Sequence, residues 1–229
     1  MQYLYLWLNI FSILGPLALS FDRRVAFYKN WKPLFLAIAA MMLVFIPWDV
    51  AFEVNGIWGF NDDYLCGIRI FHLPIEEWLF FITVPYACVF IYECVNYYLK
   101  DYLSKVTKPI LWGLAILLII VACLYYDRVY TFYNFLGTGL LLVFVLAVIK
   151  PKYISKFFMS YLIALVPFLL VNGVLTGSAI ESPIVWYNSK EILNVRLFTI
   201  PIEDSIYCLF MLLLTTLVYE RLKLFYSDK

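Results

Sequence analysis

Charge is what this sequence has least of. Of its 229 residues only 14% are charged, 17 basic and 16 acidic, against about 25% in an ordinary soluble domain. A chain so poor in polar groups cannot coat a core in water, and a net charge of +1 gives no footprint for nucleic acid. Histidine occurs once, at His72, so there is no histidine-based metal-ligand set. The five cysteines, Cys66, Cys88, Cys94, Cys123 and Cys208, contain no C-x-x-C pair. They read as small apolar residues, not as ligands or a disulfide framework. Neither G-x-G-x-x-G nor G-x-x-x-x-G-K-[ST] occurs, so the dinucleotide and P-loop fingerprints are missing.

What remains is apolar: 65% hydrophobic residues and 20% aromatic, with a mean hydropathy of +0.87. Disorder is excluded. About 20 apolar residues cross a bilayer, and runs fall at 2–20, 33–54, 75–98, 110–125, 131–149, 158–175 and 202–219. The expected fold class is therefore all-α, a polytopic membrane protein of seven transmembrane helices. The first run lacks a basic n-region and a small-residue cleavage site, so it reads as a helix and not as a signal peptide. The run at 110–125 is separated from the next only by Tyr126 to Tyr130; fusing the two gives a six-helix alternative.

Loop charge separates these readings. With the N-terminus outside, the cytoplasmic face holds Arg23, Arg24, Lys29, Lys32, Lys100, Lys105, Lys108, Lys150, Lys152, Lys156, Arg221, Lys223 and Lys229. The outer face holds Arg69, Arg128, Lys190 and Arg196. Thirteen against four obeys the positive-inside rule, and fusing two helices weakens the bias. The expectation is an integral protein of a prokaryotic plasma membrane, N-terminus outside and C-terminus cytoplasmic.

Two segments resemble each other. Asn61, Arg69, Phe71, Pro74, Ile75 and Glu76 recur as Asn188, Arg196, Phe198, Pro201, Ile202 and Glu203, all at an offset of 127. The pairs Asn55-Gly56 and Asn172-Gly173 precede them at an offset of 117, which makes the second loop ten residues longer. The expected organisation within the single membrane domain 1–229 is a first repeat over 1–100, a connecting helix over 101–130 and a second repeat over 131–229. Two three-helix units joined by one helix are parallel, so both acidic motifs lie at one face, the outer one.

The motifs are Pro74-Ile75-Glu76-Glu77 and Pro201-Ile202-Glu203-Asp204. Proline suits a helix start, and acids there meet the positive end of the helix dipole, which is a purely structural reading. Yet Trp78, Phe80 and Phe81, or Tyr207 and Phe210, follow at once, and acids at the edge of hydrocarbon suggest function. Helical spacing puts Glu76 with Phe80 and Thr83, and Glu203 with Tyr207 and Phe210. Asp49 and Glu53 add two more acids one turn apart, beside Trp48 and Phe52; the 117 offset gives them Val166 and Leu170 as counterparts. A carboxyl shut away from water can hold a proton at neutral pH and donate it. Aromatic faces stabilise a cation. Together they equip a site to form a carbocation from an alkene dissolved in lipid. Aromatic belts at the membrane interface are the plainer reading for any single ring.

At these residues the chain resembles the heterodimeric-type lycopene cyclase domain family in its fused single-chain form. The resemblance rests on Trp48-Asp49, on Gly56 to Asn61, on Pro74 to Glu77 with Phe80-Phe81, and on the second-half set Asn172 to Gly177, Val185 to Asn188, Arg196 and Pro201 to Asp204. It implies lycopene β-cyclase activity: the linear ends of lycopene become β-ionone rings, giving β-carotene through a one-ring intermediate, by redox-neutral, acid-initiated cyclisation. It implies no bound flavin or other cofactor. Under it, Glu76 and Glu203 are expected as proton donor or acceptor, Glu77 and Asp204 as support, and Asp49 and Glu53 as second candidates. Trp48, Trp58, Phe80, Tyr207, Arg69 and Arg196 are expected to contact substrate; for the arginines an interfacial anchor is an equal reading. His72 is a relay candidate, and more plainly a loop residue. The expected partners are a linear carotenoid, the bilayer and other carotenoid enzymes. Rival readings are a proton- or ion-coupled transporter and a non-catalytic membrane subunit. A retinal protein is excluded, because no span interior carries the lysine it needs.

Overall fold

A computed structural model describes residues 2–227. Lys229, counted above among the cytoplasmic cations, lies outside the described residues. Seven helices form: α1 Leu4–Leu19, α2 Trp31–Val54, α3 Ile75–Tyr98, α4 Thr107–Leu124, α5 Val129–Phe144, α6 Ile154–Leu175 and α7 Ile202–Ser227. A π-helical turn, Val145–Ile149, extends α5. Helices α2 to α7 are long and apolar enough to cross a membrane. α1 has 16 residues, about 24 Å at 1.5 Å per residue, somewhat short of a bilayer's hydrocarbon core. α4 and α5 are separate helices, because the chain turns at Tyr125 to Arg128.

Exposure is inverted relative to a water-soluble protein. Leu43 is 79% exposed and Leu170 71%, whereas Asp49, Glu76, Glu77, Glu203 and Asp204 are all buried. Apolar side chains thus face outward on the helices, and polar ones face the bundle, as a hydrocarbon solvent requires. α1 packs on α3, α3 on α6, and α2 and α5 on α7, while α4 lies mainly along α5. At the end of α3, Lys156 donates to the carbonyls of Val95 and Leu99, and Glu93 takes Tyr219 and Lys223.

The sequence reading contained no strands, yet six short ones form. β1 (Trp58–Phe60) pairs antiparallel with β4 (Val185–Tyr187), and Gly59 stands opposite Trp186. The ladder continues as Asn61 N–H to Ile184 O (2.8 Å) and Asn188 N–H to Ile57 O (2.9 Å). The backbone ladder of this seam thus maps onto itself at the 127 offset, as around a two-fold axis through Gly59 and Trp186. A Cβ on Gly59 would lie 2.4 Å from the Trp186 ring, so only glycine permits the approach. β2 (Arg69–Ile70) with β3 (Leu73–Pro74), and β5 (Arg196–Leu197) with β6 (Ile200–Pro201), form two tight hairpins that lead into α3 and α7.

Helix ends revise the register of the loops. After α2 the chain reverses at Gly56 (φ 67°), and after α6 at Gly177 (φ 107°). Matching bonds run from Ile57 N–H to Phe52 O and from Ser178 N–H to Gly173 O. The counterpart of Asn55 is therefore Thr176, not Asn172. The second loop is longer by six residues, Ser178 to Pro183, and not by ten. Asn172 sits inside α6, free to serve another purpose.

Candidate active site

Beneath the β1–β4 seam lies a partly open cavity of about 50 Å³. Strand alternation aims Trp58, Phe60, Val185 and Tyr187 down into it from above. The walls come from six helices, with Tyr5 of α1, Asp49 of α2, Glu77 and Phe80 of α3, Tyr130 of α5, Phe168 and Asn172 of α6, and Asp204 and Tyr207 of α7. α4 contributes nothing to it.

Three carboxyls face this space, and each is met by a phenol. Tyr207 Oη donates to Asp49 Oδ1 at 2.7 Å, and Tyr5 Oη to Glu77 Oε2 at 2.5 Å. Asp204 is held by three donors: Tyr130 Oη on Oδ1 at 2.9 Å, with Asn172 Nδ2 at 2.7 Å and Tyr187 Oη at 2.9 Å on Oδ2. Among the described residues no cation forms an ion pair with any of the three; the ion pairs are Arg69 with Glu53 and Asp62, and Lys223 with Glu93. Burial and the adjacent Asp204 push the Tyr187 phenol well above the ordinary tyrosine range, so it stays a donor. The rings interlock: Trp58 meets Tyr130 edge-on at 4.9 Å, and Tyr130 stacks on Tyr187 at 5.8 Å.

Glu76 and Glu203 do a different job. Each is fully buried and reaches back to the loop before its hairpin. Glu76 Oε1 accepts the Cys66 N–H, and Glu203 Oε1 the Leu193 N–H, both at 2.7 Å. Their backbone carbonyls accept from Asn9 and Asn134. Thr131 also donates to Glu203. The second oxygen of each carboxyl has no partner among the described residues.

Compared with known protein families, the chain matches "Lycopene cyclase" over residues 2–95 and 127–222. It belongs to the lycopene cyclase family. The stretch left between the two matched blocks holds α4. A relative from Arthroderma gypseum, named bifunctional lycopene cyclase/phytoene synthase, is 38% identical over 71 residues, 30% of this chain. The match covers 12% of that protein's own length. No solved structure matches the chain.

In this lycopene cyclase family member the motif acids divide by one position. A step of one residue is about 100° around a helix, so Glu77 and Asp204 look into the cavity with Phe80 and Tyr207, while Glu76 and Glu203 turn to the loops before their hairpins. Asp49, Trp58, Phe80 and Tyr207 line the cavity. Trp48 stands behind it, 5.7 Å from the Tyr207 ring. Glu53 is half-buried in its ion pair with Arg69, outside the cavity wall. The arginines do not reach the motif acids: Arg69 binds Glu53, Asp62 and His72 O, and Arg196 binds Thr199 O over the Tyr187 ring. His72 is at the exposed tip of its hairpin, with φ 70°.

The residues that sequence reasoning missed are the donors Tyr5, Tyr130, Tyr187, Asn9, Asn134 and Asn172. A signal was available for four of them. Tyr5-x-x-x-Asn9 recurs as Tyr130-x-x-x-Asn134, at an offset of 125 and one helical turn apart in each. In both halves the tyrosine takes the cavity acid and the asparagine takes the carbonyl of the residue before it.

Proposed function

We propose that this chain is a lycopene β-cyclase that spans the membrane seven times, built from two parallel three-helix repeats around helix α4, with its acids at the outer face. The observation that carries the reading is a single aromatic-lined cavity into which three buried carboxyls project without a counter-cation. Burying an unpaired anion costs several kcal/mol, so such a site favours acids that keep a proton to give.

The chemistry follows from the donor counts. Asp49 and Glu77 each take one phenol on one oxygen, which leaves the other for the cavity. Either suits the proton donor. The proton adds to the terminal alkene of a linear carotenoid and leaves a tertiary cation. The internal alkene attacks that cation, closing the ring bond and moving the charge onto the ring. Three donors fix Asp204 as an acceptor, which suits removal of the ring proton and stabilisation of the charge. Electrons and atoms balance without a redox partner. Trp58, Tyr130, Tyr187 and Tyr207 surround the cation with π-faces. Glu76 and Glu203 hold the loops before the two hairpins, so that Glu77 and Asp204 stay aimed.

Expression in a lycopene-accumulating bacterium, with chromatographic identification of the pigments, tests the reading. Ring-bearing carotenoid supports it. Unchanged lycopene favours a transporter or a non-catalytic subunit.

A further inference from the structure

The acid cavity has a neighbour. Directly along α3 and α6 runs a second, partly open space of about 70 Å³. Phe168 borders both cavities. The lining steps from one to the other in helical turns: Phe80 to Val84 to Cys88 and Ile91 on α3, and Asn172 and Phe168 to Ala164 on α6. α1 supplies Tyr5 to the first and Ser12 to the second. Cys88 and Ala164 also line a third, far smaller gap further along the same helices. From Phe80 to Ile91 this path spans about 16 Å at 1.5 Å per residue.

Its wall asks for hydrocarbon. Ser12 Oγ already donates to Leu8 O at 2.7 Å, so it offers no unmet polar group. No charged residue lines the second space. Small side chains, Ser12, Ala87 and Ala164, keep it open, and Ser12 and Ala87 are only half-buried, so it communicates with the lipid side of the bundle.

We propose that this groove between α1, α3 and α6 holds the unreacted polyene of a linear carotenoid while one end lies among Asp49, Glu77 and Asp204. The inference rests on the cyclase reading and adds where the rest of the substrate goes. Because the acids line one cavity, the other end projects along the groove and must exchange places before it can react.

The test compares a full-length linear carotenoid with a half-length polyene carrying the same end group. The variants are Ala87→Phe and Ser12→Phe, which narrow the groove, and Leu43→Phe, on the lipid face of α2, as control. The proposal expects the ratio of full-length to half-length conversion to fall tenfold or more in the groove variants and to stay level in the control. Equal loss on both substrates, or no change in the ratio, overturns it. A second readout does not need turnover: polyene absorbance bound to purified protein carrying Glu77→Gln. Adding Ala87→Phe is expected to weaken full-length binding selectively; undiminished binding overturns the groove, as does recovery of a lipid acyl chain in place of the carotenoid. Protein that binds the polyene through the groove yet converts neither substrate refutes the cyclase reading and leaves the groove standing.

Discussion

Glu76 and Glu77 are neighbours in sequence and 100° apart on a helix, and that angle separates their roles. Glu77 meets the cavity and Glu76 a loop N–H. Replacing Glu77 with Gln, or Asp49 with Asn, removes a transferable proton without changing shape, and general-acid catalysis is worth about 10²–10⁴-fold. Pigment conversion is expected to fall by a factor in that range for whichever is the donor, with the melting midpoint in detergent little changed. Glu76→Gln is expected to behave the other way. It exchanges the carboxylate that accepts the Cys66 N–H for a weaker amide acceptor and leaves a buried amide N–H2 where the second oxygen has no partner, costs about 1–3 kcal/mol of stability, and leaves a larger share of conversion. Loss of activity by Glu76→Gln alone, with Glu77→Gln and Asp49→Asn fully active, would reverse the assignment. The acidic pairs were legible in the sequence, because they repeat beside aromatic runs. Which member of each pair faces inward was not. That choice depends on the rotation of α3 and α7, which Asn9 and Asn134 fix by holding the carbonyls of Glu76 and Glu203.

Among elements, the β1–β4 seam is the one that closes the site. It joins residues far apart in the chain through three paired positions, and Gly59 admits the Trp186 ring at a distance no Cβ tolerates. Gly59→Ala is expected to destabilise the seam, lowering the thermal midpoint and the conversion together. Adding Trp186→Ala should restore part of both, and a double-mutant cycle on the melting midpoint measures the coupling. Strict additivity would show that the ring contact does not matter. The helices were legible from hydropathy alone, and each observed helix falls on an apolar run. The strands were not, because three-residue segments such as Trp58–Phe60 carry no period of their own and exist only by pairing across the two halves. The Asn-Gly alignment misled for a related reason: cap geometry at Gly56 and Gly177, not residue identity, defines which positions correspond.

At the scale of the whole molecule, buried polar residues are turned inward and apolar ones outward, and the loop cations of the sequence predict which side is which. An impermeant thiol reagent applied to intact cells is expected to label a cysteine introduced at Asp62, in the loop before α3, and to miss one introduced at Lys105, before α4. The reverse pattern would invert the orientation. A single cavity serving a substrate with two reactive ends makes a further demand. With lycopene in excess, the one-ring product should be released first and the two-ring product should follow it; two-ring product from the first turnover would require a second site. The mostly helical, membrane-suited character was readable from composition. The cavity was not, since it forms only where six helices and the seam converge. The central claim is that a protein acid starts the reaction by adding a proton to the polyene. Purified protein given lycopene in deuterated water, with no electron donor, tests it most directly. The account expects one non-exchangeable deuterium in each new ring, with incorporation lost together with conversion when the donor carboxyl is replaced. Rings formed without deuterium would contradict it.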